Sequence, residues 1–137
     1  MIQPNDIAIL EKYDAMVSAE ANVDVVNGCV GKITNGKFAP AAAGDVFVYQ
    51  KEKGDIDGEF EIKKGEDVRC VVMSEIDGRL VKIAPSHLAS GEFAVGAKYA
   101  SNANGKLASG AEAAPYFEVV ELINYDGKGA RAKIVAQ

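Results

Sequence analysis

Side chains that titrate near neutral pH, the usual choice for a catalytic base, are scarce in this sequence. His87 is the only histidine, and it follows Ser86 in an Ala-Pro-Ser-His-Leu stretch. A catalytic base must lie within hydrogen-bonding reach of the group it deprotonates. Adjacent residues of a strand point to opposite faces, so these two would make an awkward nucleophile–base pair. We therefore interpret His87 as a surface histidine or one that anchors a loop.

The two cysteines are 41 positions apart, and each lies in an apolar run. Cys29 precedes Val30, and Cys70 precedes Val71, Val72 and Met73. Zinc sites need three or four ligands of suitable type, which one histidine and two separated cysteines do not supply. The apolar surroundings favour two buried thiols that pack as small hydrophobic groups, with no disulfide and no metal.

Acidic and glycine-rich turns do not match known ligand loops. The acidic run 55–59 has glycine directly after its second aspartate, a spacing that fails the calcium-loop pattern. The glycines at 28–31 and 127–129 are not followed by the Lys-Ser/Thr pair of a phosphate loop. Paired carboxylates of a glycosidase stay possible among 20 acidic residues, but tryptophan, the usual sugar platform, is absent. We predict no catalytic residue, no cofactor and no metal, and a function that depends on the surface.

Size and charge narrow the class of protein further. The chain has 137 residues, 48% of them hydrophobic and 26% charged, which is typical of one globular domain. Its net charge of −5 makes nucleic acid an unexpected partner, since binders of phosphate backbones usually carry a basic surface. We find no run of 18 apolar residues and no basic-then-apolar start typical of a secretion signal, so we expect no membrane span and synthesis in a cytosol.

The N-terminal segment differs in periodicity from the remainder of the chain. Apolar residues recur every three or four positions at Ile7, Leu10, Tyr13 and Val17, after Pro4. This spacing predicts a short helix over 5–18, followed by a connector at 18–22. We divide the chain into this segment (1–22) and a β domain (23–137). The segment is expected to cover one end of the β domain or, as we prefer, to act as an assembly arm toward a neighbouring subunit.

From residue 23 onward, turn signals alternate with β-rich runs. The turn signals are six Asn-Gly or Asp-Gly pairs that tolerate the positive φ angles of hairpin turns, at 27–28, 35–36, 57–58, 77–78, 104–105 and 126–127. Two hairpins are predicted, 68–76 with 79–84 and 116–124 with 130–135. Further strands are predicted at 30–33, 46–49, 59–62 and 98–101, with loops at 39–44 and 108–115 and an exposed hairpin tip at 51–58. The predicted fold is mainly β, a single small barrel or jelly-roll-like sandwich.

Residues 83–135 carry a pattern that resembles a known group of proteins. An Ala-Val-Gly-Ala-Lys strand start at 94–98 precedes an Asn-Gly-Lys-Leu turn at 104–107. A loop of small residues, a strand over 116–124 and a Tyr-Asp-Gly-Lys-Gly turn at 125–129 follow. This succession resembles the small structural proteins of tailed bacteriophages, of the capsid decoration or cement type. The resemblance implies a β-rich fold, many copies on a capsid shell and contacts with the major capsid protein.

The expected function is therefore that of a non-enzymatic virion protein that decorates a bacteriophage capsid. We expect the major capsid protein and a homo-oligomer, trimer or dimer, as partners, and neither nucleic acid nor membrane. The expected location is the capsid surface of the virion, after synthesis in the host bacterial cytoplasm. Two alternatives stay open, a tail or fibre module that binds a receptor or glycan, and a small β-barrel enzyme or ligand carrier.

Overall fold

The computed structural model describes residues 2–4, 15–49, 61–123 and 129–137. Strands dominate these ranges, which confirms the predicted mainly-β class. The strands are β1 (Ile2–Pro4), β2 (Met16–Ala21), β3 (Val25–Val26), β4 (Val30–Thr34), β5 (Lys37–Pro40), β6 (Val46–Val48), β7 (Glu61–Ile62), β8 (Asp67–Val72), β9 (Leu80–Ile83), β10 (Lys98–Ser101), β11 (Leu107–Ser109), β12 (Tyr116–Ile123) and β13 (Gly129–Val135). Two short 3-10 helices cover Met73–Ile76 and Pro85–His87.

Five strands close into a small barrel, one of the two predicted architectures, and their order is β2-β5-β4-β6-β8. All neighbours in the barrel are antiparallel except β2 and β5, which are parallel. The β4–β5 hairpin turns at Asn35 and Gly36, whose φ angles are 52° and 76°. Both angles are positive, as a two-residue hairpin turn of this type requires, and asparagine and glycine adopt them at the lowest cost. Strands β3 and β7 form a separate two-stranded sheet.

A six-stranded antiparallel sheet, in the order β1-β9-β13-β12-β10-β11, forms the second assembly. The predicted hairpin over 116–135 is present here as β12 and β13. Its ladder contains a β-bulge, because Val119 pairs with Ala132 and Glu121 pairs with Arg131. Val120 is therefore an extra residue on β12, and inward-facing positions resume at Leu122, opposite Ala130.

The barrel and the six-stranded sheet each have an apolar core, and strands β6 and β8 of the barrel contribute residues to both cores. Alternate residues of β6 and β8 enter the barrel, such as Val48 and Cys70. The residues between them, Phe47 and Val71, pack instead against the sheet. Phe47 lies with its ring centroid 6.1 Å from that of Phe117 on β12. Since both faces of these two strands contact apolar neighbours, β6 is buried along its whole length, and the two assemblies pack as one body.

The predicted N-terminal helix is wrong where the structure describes it. Residues 16–21, predicted as helix end and connector, form β2, which pairs with β8 and β5 in the barrel. Ile2 is fully buried on β1, opposite Ile83 of β9. Both described parts of the supposed arm therefore pair with strands of this same chain, because their apolar residues complete the barrel wall and the sheet edge. Residues 5–14, the rest of the predicted helix, lie outside the described residues.

The first predicted hairpin is also wrong. Strands β8 and β9 occupy the predicted positions but do not pair with each other. β8 belongs to the barrel, whereas β9 lies between β1 and β13 in the sheet. Residues Met73–Ile76 form a 3-10 helix with Met73 and Ile76 buried, and this helix carries the chain from one assembly to the other. The turn at 77–78 thus connects two sheets and not two neighbouring strands.

The predicted positions of the short strands agree better with the structure than the N-terminal helix and the first hairpin do. Strands predicted at 30–33, 46–49 and 98–101 are present as β4, β6 and β10. β7 covers residues 61–62 of the strand predicted at 59–62, whose first two residues are not described. The predicted loops start too early, since Ala39 and Pro40 extend β5, and Ala108 and Ser109 extend β11. The predicted hairpin tip at 51–58 and the turn at 126–127 lie outside the described residues.

Candidate functional site

The single histidine lies in the interior, not on the surface. His87 ends the second 3-10 helix and is 1% exposed. Its ring fills the space beside Gly28, where a Cβ atom would overlap Cε1. Burial lowers the pKa of His87 to about 3, because the charged imidazolium loses its hydration, and the positive charge of Lys106 adds to the effect. His87 is thus neutral at physiological pH and fixes the loop against the barrel, the anchoring role that the sequence predicted.

Ser86 does not join His87 in a catalytic pair. The Ser86 side chain is exposed while that of His87 is buried. The Ser86 carbonyl accepts a hydrogen bond from Lys106 Nζ at 2.8 Å. The serine therefore serves this site through its backbone, as one attachment between the 3-10 helix and the loop that connects β10 to β11.

Both cysteines are buried free thiols in the barrel, as predicted. Burial raises the pKa of Cys29 to about 11, although the positive charge of Lys106 opposes the increase. Burial, and then the charge of Cys29, raise the pKa of Cys70 to about 12. Because only a thiolate is a strong nucleophile or metal ligand, neither sulfur is activated.

Lys106 lies close enough to Cys29 and to His87 for its positive charge to act on both. Gly105 approaches Cys29 so closely that a Cβ atom at Gly105 would overlap Sγ. His87 lies against Gly28, the residue before Cys29, so a thiol and an imidazole, the side-chain types of a cysteine nucleophile and its base, occur in the same region. A working pair needs a lowered thiol pKa. Here the thiol and the imidazole are both held neutral, so they do not form such a pair.

The glycines at 28 and 31, which the sequence analysis compared with a phosphate loop, have a structural explanation. Gly28 has a φ angle of 97° in the turn that leads from β3 into β4. Gly31 lies within β4, where a Cβ atom would overlap the carbonyl of Ala39 on β5. These glycines allow close contact between protein backbones. The acidic run 55–59 lies outside the described residues.

A pocket of about 330 Å³ opens at one end of the six-stranded sheet. Leu88, Phe93, Leu122 and Ile123 form apolar walls, and Glu92 contributes the one carboxylate among the described lining residues. Leu122 is 39% exposed although the register pairs it with the buried Ala130 of β13. Phe93 packs edge-on against Tyr99 at 5.5 Å, which holds one wall in place.

Besides the pocket, the structure has one more feature that the sequence did not reveal. This feature is the surface of the six-stranded sheet that faces away from the barrel. We call it the outer face, and it consists of the outward residues of β9, β13, β12 and β10. In register, these residues form two cross-strand rows, Lys82-Arg131-Glu121 and Leu80-Lys133-Glu118-Lys98. The alternation of small apolar and charged residues in Ala130–Val135 was the signal for such a half-exposed strand.

Metal and membrane features are absent within the described ranges. No group of three or more His, Cys, Asp or Glu side chains there could hold a metal ion. No helix of the described chain has the length and apolar character needed to cross a membrane. Comparison with family models, curated proteins and solved structures finds no match to this chain.

Proposed function

We propose that this chain is a non-enzymatic structural protein that decorates a bacteriophage capsid by binding the lattice of the major capsid protein. The observation that carries the proposal is a contrast between the interior and the surface. The side chains that could act as a nucleophile or a base, Cys29, Cys70 and His87, are buried and neutral. The outer face, in comparison, presents charged and apolar side chains from four neighbouring strands of one sheet. The resemblance of residues 83–135 to decoration proteins of tailed phages supplies the identity of the lattice.

The architecture suits a protein that must fold before it assembles. The barrel strands β6 and β8 contribute residues to both apolar cores, which packs barrel and sheet together, so a broad face can bind without rearrangement of the backbone. The net charge of −5 keeps free copies apart in solution. Many copies on a symmetric shell, as trimers or dimers, would then multiply a modest contact energy through avidity.

Purified phage particles that carry this chain provide the direct test. We expect a 14.4 kDa band in washed virions, and extra density on the shell by electron microscopy. The purified chain should also cosediment with expanded shells that lack it. A chain that is absent from washed virions and fails to cosediment with such shells would contradict the proposal.

A second candidate function, the binding of a small apolar ligand, is favoured by the pocket beside Leu122. Its volume of about 330 Å³ lies at the lower end of the range of small-molecule sites. The apolar walls and Glu92 suit an apolar group that bears a positive charge. An environment-sensitive cationic dye should then bind the wild type and lose affinity for a Leu122→Lys variant, whereas equal binding would rule the pocket out.

A further inference from the structure

The charge of the outer face is opposite in sign to that of the whole chain. Its two rows contain four basic residues and two acidic ones. The chain as a whole has a net charge of −5. The sheet therefore gathers positive charge from three separate parts of the sequence, β9, β10 and β13, on one surface.

The acidic residues of the outer face neutralise only part of that charge. Glu121 Oε2 accepts a hydrogen bond from Arg131 Nη1 at 2.8 Å. Glu118 lies between Lys133 and Lys98 in the register, so it faces a lysine on each side. Lys82 and Lys133 form no ion pair with any residue that the structure describes.

The position of Lys82 carries an energetic cost for the isolated protein. Lys82 lies directly opposite Arg131 on neighbouring strands. Like charges at such positions destabilise a sheet. The cost is offset if an acidic group from outside approaches both side chains, because an anion between them turns repulsion into attraction. This arrangement therefore indicates a contact surface.

Building on the proposed function, we propose that the outer face binds an acidic, extended segment of the capsid protein. Lys133 and Arg131 lie two residues apart on β13, about 7 Å along the strand, and Lys82 lies about 5 Å from Arg131 across strands. Carboxylates on alternate residues of an extended chain have the same 7 Å repeat. Leu80, which is 36% exposed beside Lys133, adds apolar contact to such a segment.

The two acidic residues of the outer face favour a polypeptide over nucleic acid as the occupant. A phosphate backbone carries negative charge only, so Glu118 and Glu121 would repel it. A polypeptide offers backbone N–H groups and basic side chains to these carboxylates as well as its own acidic groups to the lysines. Mixed charges of this kind provide specificity and register more than raw affinity.

Two charge-matched double variants test the inference. Lys82→Glu/Lys133→Glu changes the outer face, and Lys37→Glu/Lys64→Glu makes the same change in net charge at exposed positions of β5 and of the loop before β8. Each protein is titrated at low salt with a synthetic peptide of alternating Glu and Thr, and with duplex DNA of equal charge. Each is also sedimented with expanded shells. Circular dichroism and thermal melting confirm folding, and Lys82→Gln/Lys133→Gln replaces the first variant if it does not fold.

We expect the wild type and the control variant to bind the acidic peptide and the shells, and the outer-face variant to lose about tenfold or more in affinity for both. Peptide binding that is absent, or equal in both variants, would overturn the outer-face inference. Tighter binding of DNA that is lost in the outer-face variant would also overturn it, in favour of nucleic acid. If the outer face binds the peptide but the wild type does not bind shells, the capsid protein is excluded as the partner, and only the binding of acidic, extended segments by the outer face stands. If the wild type and both variants bind shells equally, the capsid proposal stands and the outer-face inference fails.

Discussion

Acidification should destabilise this protein through one residue, His87. Its ring is 1% exposed, and burial lowers its pKa from 6.5 to about 3. Between these two values the unfolded chain binds a proton at His87 that the folded chain does not. Stability from this group is therefore complete above pH 6.5 and is lost as the pH falls toward 3.

The size of the effect follows from the gap between the two pKa values of His87. One pKa unit corresponds to about 1.4 kcal/mol, so the full contribution amounts to roughly 5 kcal/mol. At pH 4.5 about 3 kcal/mol of it should already be lost. That is a large part of the 5–15 kcal/mol typical of a folded domain. The ring is shielded from solvent, so salt should screen this loss only weakly.

Urea unfolding at pH 7.5 and 4.5 measures the effect, and a His87→Gln variant provides the control. The two proteins share every other titrating group, so only the loss of about 3 kcal/mol at pH 4.5 that comes from His87 should distinguish them. Because His87 is the only histidine, its ring signal in the NMR spectrum can be followed directly, even if the variant folds poorly. A ring that titrates near pH 6.5 in the folded protein would refute the reasoning.

Three further predictions test the packing. In urea unfolding, Gly28→Ala should destabilise the fold by about 2–4 kcal/mol, because the added methyl group overlaps His87 at a positive φ angle. Gly36→Ala, with open space around it, should cost only about 1 kcal/mol in the same assay. Cys29 and Cys70 should resist a thiol reagent in the native state and react only in denaturant, and rapid native labelling would contradict their burial. Ile2→Ala should cost about 2–4 kcal/mol in the same unfolding assay, and no loss would show that β1 contributes little.

The sequence predicts strand positions better than strand partners. Alternation and Asn-Gly or Asp-Gly pairs locate β4, β6, β10 and the β12–β13 hairpin because these signals are local. The pairing of β2 with β5 is parallel and has no short connecting turn to indicate it. The predicted hairpin at 68–84 failed for the same reason, since the choice between neighbouring and distant partners depends on tertiary packing.

The N-terminal error has a related cause. Apolar residues at spacings of three or four indicate a helix, and Val17 completes that pattern with Ile7, Leu10 and Tyr13. In the structure Val17 instead belongs to β2, opposite Cys70 of β8. The barrel needs a fifth strand to close, and tertiary pairing outweighs a weak helical pattern.

The proposed binding surface was harder to foresee than the buried interior. The shortage of catalytic side chains is visible in the composition, and the anchoring interpretation of His87 follows from its lack of partners in sequence. The outer face depends on register, because Lys82, Arg131 and Lys133 come from two strands about 50 positions apart in the sequence. Alternation within β13 indicates that one side is exposed, but it does not say which charges from other strands lie beside it.

The bulge accommodates Val120 as one extra residue on β12, so the pairs before and after it keep their register with β13. Deletion of Val120 should give a regular ladder in which Val119 still faces Ala132 and Glu121 still faces Arg131, at a cost of about 1 kcal/mol from altered twist. Deletion of Lys133 from β13, which has no spare residue, should shift the register there and turn the buried Ile134 toward solvent. We expect that second deletion to cost more than 2–3 kcal/mol, the transfer free energy of an isoleucine side chain alone. Urea unfolding of both proteins makes the comparison, and equal losses would mean that the bulge is essential to the sheet.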